Sequence, residues 1–398
     1  MKIGITGQHG FVGSHLANTL ALDESLELIP FQRDYFEDSE KLQAFVAACD
    51  AVVHLAAMNR HPDPEVIYAT NVALVEKLIA ACKAADHTPH ILFASSTQES
   101  KENRYGESKL AGKELFKQWS EETNGRCTSL TIPNVFGPFG KPNYNSVVAT
   151  FCHKIAHGEA VEVHQDNEIG LIYVNELVCE IIEAMGLIPK AFPSPITATE
   201  TASETGKGAE NTSASFRTHA IAPRHFYKVT EILNLLLQFR SDYMENGEFP
   251  DVEDTFTRAL FNTFRCYIPT DHYPAPFTLH TDPRGSFVEI ARTGSKGQFS
   301  YSTTVPGITR GNHFHTRKAE RFAVIKGKAQ IQLRKIGTDE VITYELSGEA
   351  PAYVDMPVWY THNISNVGQE ELITLFWINE PYNPEDPDTF FVDVVQKD

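Results

Sequence analysis

Tyr105 and Lys109 stand four residues apart in "YGESK", and Ser96 closes the apolar run "HILFASS" just upstream. On a helix that spacing puts phenol and ammonium on one face. A cation beside a phenol lowers its pKa and makes it a usable proton donor to a carbonyl oxygen, which Ser96 can hold by a hydrogen bond. That is general acid chemistry at a carbonyl oxygen. A second set lies toward the other end. "GNHFHTRKAERF" supplies His313, His315 and Glu320, and "PVWYTHNISN" adds His362. Residues two apart on a strand point the same way, so His313 and His315 would face one interior, with Glu320 opening the next strand. Three imidazoles and a carboxylate suit a divalent Zn, Mn, Fe or Ni ion, with zinc foremost. The competing readings are a plain helix surface for the first set and solvent-facing histidines for the second. Both are weakened by the spacings.

These groups need elements to position them. Gly7, Gly10 and Gly13 follow the run "KIGIT" and open "FVGSHLANTL", so backbone amides around Phe11 and Val12 can approach a pyrophosphate. The second apolar run ends in "PFQRD". Arg33 suits the 2′-phosphate of NADP, while Asp34 beside it keeps NAD open; NADPH is the expected cofactor, NAD the possible one. From Met1 to about residue 187, short apolar runs alternate with helical periods, which predicts a doubly wound parallel sheet. Residues 188–221, rich in Ser, Thr, Ala, Glu and Gly, read as a flexible insertion. Two amphipathic helices follow, "VTEILNLLLQFRSDYM" and "DTFTRALFNTFRCY". After about Pro274, short alternating strands split by Gly, Asp and Asn turns predict an antiparallel barrel or sandwich. The expected division is 1–272, a dinucleotide-binding domain, and 273–398, an all-β domain.

Composition narrows the partners. At 398 residues two domains are expected, and a formal charge of −18 argues against nucleic acid. No apolar run is long enough to cross a bilayer, and "MKIGITG" is not a signal peptide. Six scattered cysteines without a Cys-x-x-Cys pair suggest thiols in a reducing cytoplasm.

The glycine motif, "HLAA" (His54–Ala57), Asn71 in "ATNV", the Ser–Tyr–Lys set and "NVFGP" resemble the extended short-chain dehydrogenase/reductases that act on nucleotide-sugars. That resemblance implies a Rossmann-type domain in which hydride passes between nicotinamide and a sugar carbon. It puts Leu55 and Ala56 against the dinucleotide, and Asn134, Asn145 and Ser146 against the sugar nucleotide. The Ser96–Tyr105 gap is shorter than usual, and Ile132 stands where relatives often have arginine. The second histidine pattern is similar to the two motifs of the cupin superfamily, with Trp359 where glycine is usual. "DPRGSFVEI" and "TTVPGITRGNHFH" also resemble 4-keto-sugar epimerases of the rhamnose pathway, metal-free cupins, which points to Arg284 and Arg310 as substrate residues.

Taken nearly end to end, the sequence resembles a bacterial family of fused reductase/3-epimerases acting on UDP-2-acetamido-2,6-dideoxy-4-keto-hexoses for capsule or O-antigen. The resemblance implies C3 epimerisation in the cupin barrel, NADPH-dependent reduction at C4, a UDP-sugar substrate and a homodimer. Two other classes compete: a reductase whose cupin only binds sugar or metal or dimerises, and a metal oxygenase cupin fused to a dehydrogenase.

Overall fold

The computed structural model describes residues 1–189, 215–277, 280–282, 285–287, 291–293, 298–380 and 383–396. Two compact units emerge. The first comprises residues 1–136, 143–146 and 169–226; the second comprises 137–142, 147–168 and 227–398.

In the first unit, β1 (Lys2–Thr6), β2 (Glu27–Ile29), β3 (Ala51–His54), β4 (His90–Ser96) and β5 (Cys127–Ile132) alternate with α1 (Phe11–Leu20), α2 (Ser39–Ala47), α3 (Pro64–Ala84) and α4 (Arg104–Thr123). β6 (Asn134–Phe136) pairs parallel with β7 (Glu168–Tyr173), α6 (Val174–Ala184) follows β7, and β8 (Phe216–Ala220) adds a further strand. The parallel sheet runs β2-β1-β3-β4-β5-β8. Strand residues alternate between two cores. Ile3, Ile5, Val53 and Leu92 pack with Leu16, Leu177 and Ile181 on one face, and Val52, Ile91 and Phe93 pack with Phe45, Leu78 and Trp119 on the other. Both faces are therefore covered by helices, as the alternation predicts. The strand order reverses between β1 and β3, and in open α/β sheets ligands bind at the carboxyl ends of the strands at such a switch point.

One expectation is modified here. Phe216–Ala220 falls within the stretch read as an insertion, yet it pairs with β5 from Cys127↔Phe216 to Thr131↔Ala220. Only Phe216 of this edge strand is buried, so "FRTHA" carries no apolar signal from which sequence reading could find it.

In the second unit α5 (Val147–Ala156), α7 (Val229–Phe239) and α8 (Thr255–Arg265) pack on one another. β9 (His225–Lys228) joins β6 and β7 in a three-stranded sheet, and the short strands β10 (Glu248–Phe249), β11 (Ala275–Pro276), β12 (His280–Asp282), β13 (Gly285–Phe287) and β14 (Arg292–Thr293) lead into a run of longer ones. These are β15 (Gln298–Thr304), β16 (Thr309–Phe314), β17 (Glu320–Lys326), β18 (Lys328–Lys335), β19 (Val341–Ser347), β20 (Ala352–Met356), β21 (Tyr360–Asn366), β22 (Leu372–Ile378) and the short β23 (Phe390–Phe391). They form two five-stranded sheets, β11-β20-β17-β22-β15 and β19-β18-β21-β16-β23, whose pairings are antiparallel. Val324, Val354 and Leu372 of the first share one core with Ile331, Leu333 and Ile364 of the second. Among the described residues neither sheet closes on itself.

Helix α8 grips the β strands. Asn262 Nδ2 donates to Arg317 O at 3.0 Å, and Arg265 donates to Met356 O. Nearby, a buried pair joins Arg321 to Asp355, with Nε–Oδ1 at 2.8 Å and Nη2–Oδ2 at 3.1 Å. Tyr243 and Tyr273 also donate to Asp355 Oδ2, so this desolvated carboxylate is fully engaged.

Candidate active sites

The first site lies at the carboxyl ends of β1, β3 and β4. Gly7 has φ 78°, and a Cβ there would meet the Ala56 amide nitrogen at 2.9 Å; at Gly13 one would meet Gly7 O at 2.2 Å. Only glycine fits a turn this close to backbone. Helix α1 starts after Gly10 with no side-chain cap, which presents first-turn amides near Phe11 and Val12 to a phosphate. Leu55 N donates to Thr6 O at 3.1 Å and Ala56 N to Thr6 Oγ1 at 3.3 Å, tying the β3 exit loop to the glycine turn. Arg33 is exposed in the turn after β2, while Asp34 pairs with Lys41 at 3.2 Å.

Ser96 ends β4, and Tyr105 lies in the first turn of α4, capped by Asn103, whose side chain accepts from Gly106 N. Lys109 is buried, and its ammonium donates to Ala94 O on β4 at 2.8 Å. The helix bearing Tyr105 is thus pinned to the strand bearing Ser96. Lys109 Nζ lies 5.6 Å from the Tyr105 ring centre. Burial lowers the Lys109 pKa to about 8, and burial, aided by Tyr144, raises that of Tyr105 to about 12. The spacing argument expected the cation to lower the phenol's pKa; burial raises it instead. Tyr105 therefore holds its proton at neutral pH, the state a proton donor needs. The sequence singles out Asn71 but not its contacts. Its side chain accepts from Met58 N at 2.7 Å and donates to Met58 O and Ser108 Oγ, both at 3.0 Å, and Ser108 in turn bonds Tyr105 O.

Of the expected substrate residues, Asn134 is exposed on β6 with Nδ2 3.4 Å from Gly170 O, Asn145 is exposed, and Ser146 is half-buried. Their segment is anchored where Arg60 donates to Asn143 O at 2.9 Å. Arg310 is exposed on β16 and donates to Thr303 O at 3.0 Å. Arg284 lies outside the described residues.

The second site brings together all four expected side chains. The ligand atoms of His313, His315, Glu320 and His362 lie within 4.8 Å of one another, and all but His313 are buried. Three strands contribute: β16 with its continuation, β17 and β21, with His313 directly opposite His362. His315 Nδ1 faces Asp388 O at 2.5 Å and His362 Nδ1 faces Tyr360 O at 3.3 Å. A carbonyl only accepts, so both Nδ1 atoms carry the hydrogen and both Nε2 atoms turn a lone pair inward. Glu320 Oε2 sits 3.0 Å from His315 Nε2 and 3.3 Å from His362 Nε2, yet all three atoms lack a hydrogen bond of normal geometry. Acceptors facing acceptors in a buried space call for a cation. Burial disfavours charge on both His315 and Glu320, but their mutual attraction wins, raising the imidazole's pKa and holding the carboxyl well below its usual range. His313 is brought down to about 4, first by burial and then by the neighbouring imidazoles, so it is a neutral donor at pH 7. The donor set fits a divalent metal ion.

Trp359 explains a departure noted in the sequence. Its φ is 61°, the left-handed conformation that makes glycine usual here. Its backbone N–H donates to His315 O at 2.8 Å, and its buried ring stacks on Phe314 at 5.3 Å.

A dinucleotide-dependent oxidoreductase with a second, β-structured unit carrying a metal-type donor set is the class that fold and sites define. The comparisons give the particular relatives. Residues 3–187 match the NAD dependent epimerase/dehydratase family, and 280–390 match the polysaccharide biosynthesis C-terminal domain. The chain is 32% identical over 391 residues, 98% of each chain, to a UDP-2-acetamido-2,6-beta-L-arabino-hexul-4-ose reductase of Pseudomonas aeruginosa. It is 33% identical to the solved capsular polysaccharide assembling protein CapF from Staphylococcus aureus, covering 99% of this chain and 100% of that one with a TM-score of 0.58. A CapF structure with the inhibitor 3-isopropenyl-tropolone gives 32% and 0.56, with the same coverage. The chain belongs to the family of these hexul-4-ose reductases and CapF proteins. Among the described residues, no helix is long and apolar enough to cross a membrane.

Proposed function

We propose that the chain is a bifunctional nucleotide-sugar enzyme. Its β unit, read as a cupin barrel over about 273–398, epimerises C3 of a UDP-2-acetamido-2,6-dideoxy-4-keto-hexose. Its reductase unit, over about 1–272, then reduces C4 to give UDP-N-acetyl-6-deoxy-talosamine, the precursor of UDP-N-acetyl-L-fucosamine. The observation that carries this is the pairing of two sites, a Ser–Tyr–Lys reductase set and a buried three-His, one-Glu cluster, in a chain that a hexul-4-ose reductase matches from end to end.

The chemistry orders the steps. A ketone at C4 acidifies the C3 proton, and an alcohol there does not, so inversion precedes reduction. In the reductase unit NADPH supplies the hydride. Tyr105 gives its proton to the forming alkoxide, Ser96 holds that oxygen, and Lys109 orients the phenol. The pairing of Asp34 with Lys41 beside an exposed Arg33 supports NADPH over NADH. Asn134, Asn145 and Ser146 are assigned to the UDP-sugar at the first site, Arg284 and Arg310 at the second.

In the β unit His313, His315, Glu320 and His362 would hold a divalent ion, zinc foremost. When bound it supplies positive charge where negative charge grows on a substrate oxygen. The family resemblance further supports a cytoplasmic homodimer.

The test is to incubate the enzyme with the 4-keto substrate and NADPH in deuterated water. One deuteron at C3 and one NADPH consumed per product are expected. NADPH consumption without deuterium at C3 would leave a reductase whose β unit only binds or dimerises.

A further inference from the structure

Between His315 and Glu320 runs a four-residue turn, 316–319, that supplies no ligand yet sets the distance between two of them. Its main chain is held from outside. Asp388, 68 residues beyond Glu320 in the chain, takes most of it. Oδ1 accepts from Thr316 N at 3.1 Å and Thr316 Oγ1 at 2.6 Å, and Oδ2 accepts from Arg317 N and Lys318 N, both at 3.0 Å. The carbonyl of the same residue accepts from His315 Nδ1. One buried residue thus fixes both the tautomer of a ligand and the shape of the turn after it. Its backbone has φ 41°, a conformation sparsely populated outside glycine and asparagine or aspartate, and such strain gathers at functional sites. Lys318 Nζ donates to Pro387 O at 2.8 Å, fastening the same two segments once more.

We propose that Asp388 is a positioning residue of the metal centre. It holds His315 Nε2 and Glu320 in the arrangement that binds a divalent cation. The inference rests on the metal reading above, and it adds a group that touches neither metal nor substrate. Outer partners of metal-ligating histidines tune affinity by roughly 10–100-fold. Asparagine at 388 keeps the shape and the carbonyl, but its amide sets a donor against two N–H donors. About tenfold weaker binding is expected for Asp388→Asn and about a hundredfold for Asp388→Ala.

The experiment uses the full chain, stripped by chelator and titrated with Co(II), read by its visible absorption and by competition with a chelating dye. Wild type should bind one ion per chain with a spectrum of nitrogen and oxygen ligands. Asp388→Asn should bind more weakly and show displaced bands at saturation, because the ligands sit differently. Thr316→Val, which removes only the hydroxyl bond, guards against a misfolded Asp388 variant and should show a smaller change in the same direction. Unchanged affinity and bands in both variants would overturn the inference while leaving the metal reading intact. No cobalt in wild type would overturn both.

Discussion

Around Tyr105 the protein completes its own bonds: Lys109 donates to Ala94 O, Asn71 bridges Met58 and Ser108, and Ser108 bonds the Tyr105 carbonyl. Around His315 it does the reverse, and three buried acceptors confront one another. The first arrangement is rigid before any ligand arrives and suits a site that binds and releases a dinucleotide each turnover. The second gathers three imidazoles and a carboxylate around one point, which suits a resident ion. The two units accordingly differ in what breaks them.

The largest effect should come from Tyr105→Phe. General acid catalysis is worth ~10²–10⁴-fold, so NADPH oxidation by the 4-keto sugar should fall by that much while dinucleotide binding persists. Turnover within a factor of about ten of wild type would remove Tyr105 from this role. Next comes Glu320→Gln, which takes the charge from the cluster. Its metal content should fall by elemental analysis, with affinity down by about a hundredfold or more, while nucleotide binding in the first unit stays the same. Equal metal in both proteins would mean that the cluster is not the binding site.

The buried Lys109 gives a pH-dependent prediction. Its pKa is lowered to about 8 in the fold, against 10.5 for a lysine in water. Between these values the unfolded chain binds more protons, so stability from this group rises with pH; below about 8 the whole penalty is present. The span is about 3 kcal/mol. Chemical denaturation of the cofactor-free protein should show this rise relative to Lys109→Met between about pH 8 and 10. Parallel curves would mean that the ammonium is not desolvated. Smallest is Arg33→Ala. The exposed guanidinium should contribute about tenfold to NADPH affinity and nothing to NADH, by analogy with charge-assisted bonds to phosphate. Equal losses for both would point away from the 2′-phosphate.

What can be read from the sequence is local. The glycine turn, the Tyr105–Lys109 pair and the His313–His315 pair each lie within one element or turn, so a period of 3.6 or 2 reveals them. His362 comes from a motif rather than a period. The rest depends on distance in the chain. Asp388 acts on a turn some 70 residues away, Asn71 reaches across to α4, and α8 holds both that turn and β20, so no spacing announces any of them. β8 is hidden because an edge strand with one buried residue has no alternation to show. The direction of the Tyr105 shift escapes sequence reading because a spacing shows the cation but not the burial.

The division of labour is the central claim, and the Tyr105→Phe enzyme tests it most directly. The full-length variant, incubated with the 4-keto substrate in deuterated water without NADPH, should exchange the C3 proton for deuterium as fast as wild type does. Prior reduction of the substrate at C4 should abolish exchange, because the ketone is what acidifies C3. If C3 stays fully protonated in the variant and in wild type alike, while wild type still consumes NADPH, the β unit is not an epimerase.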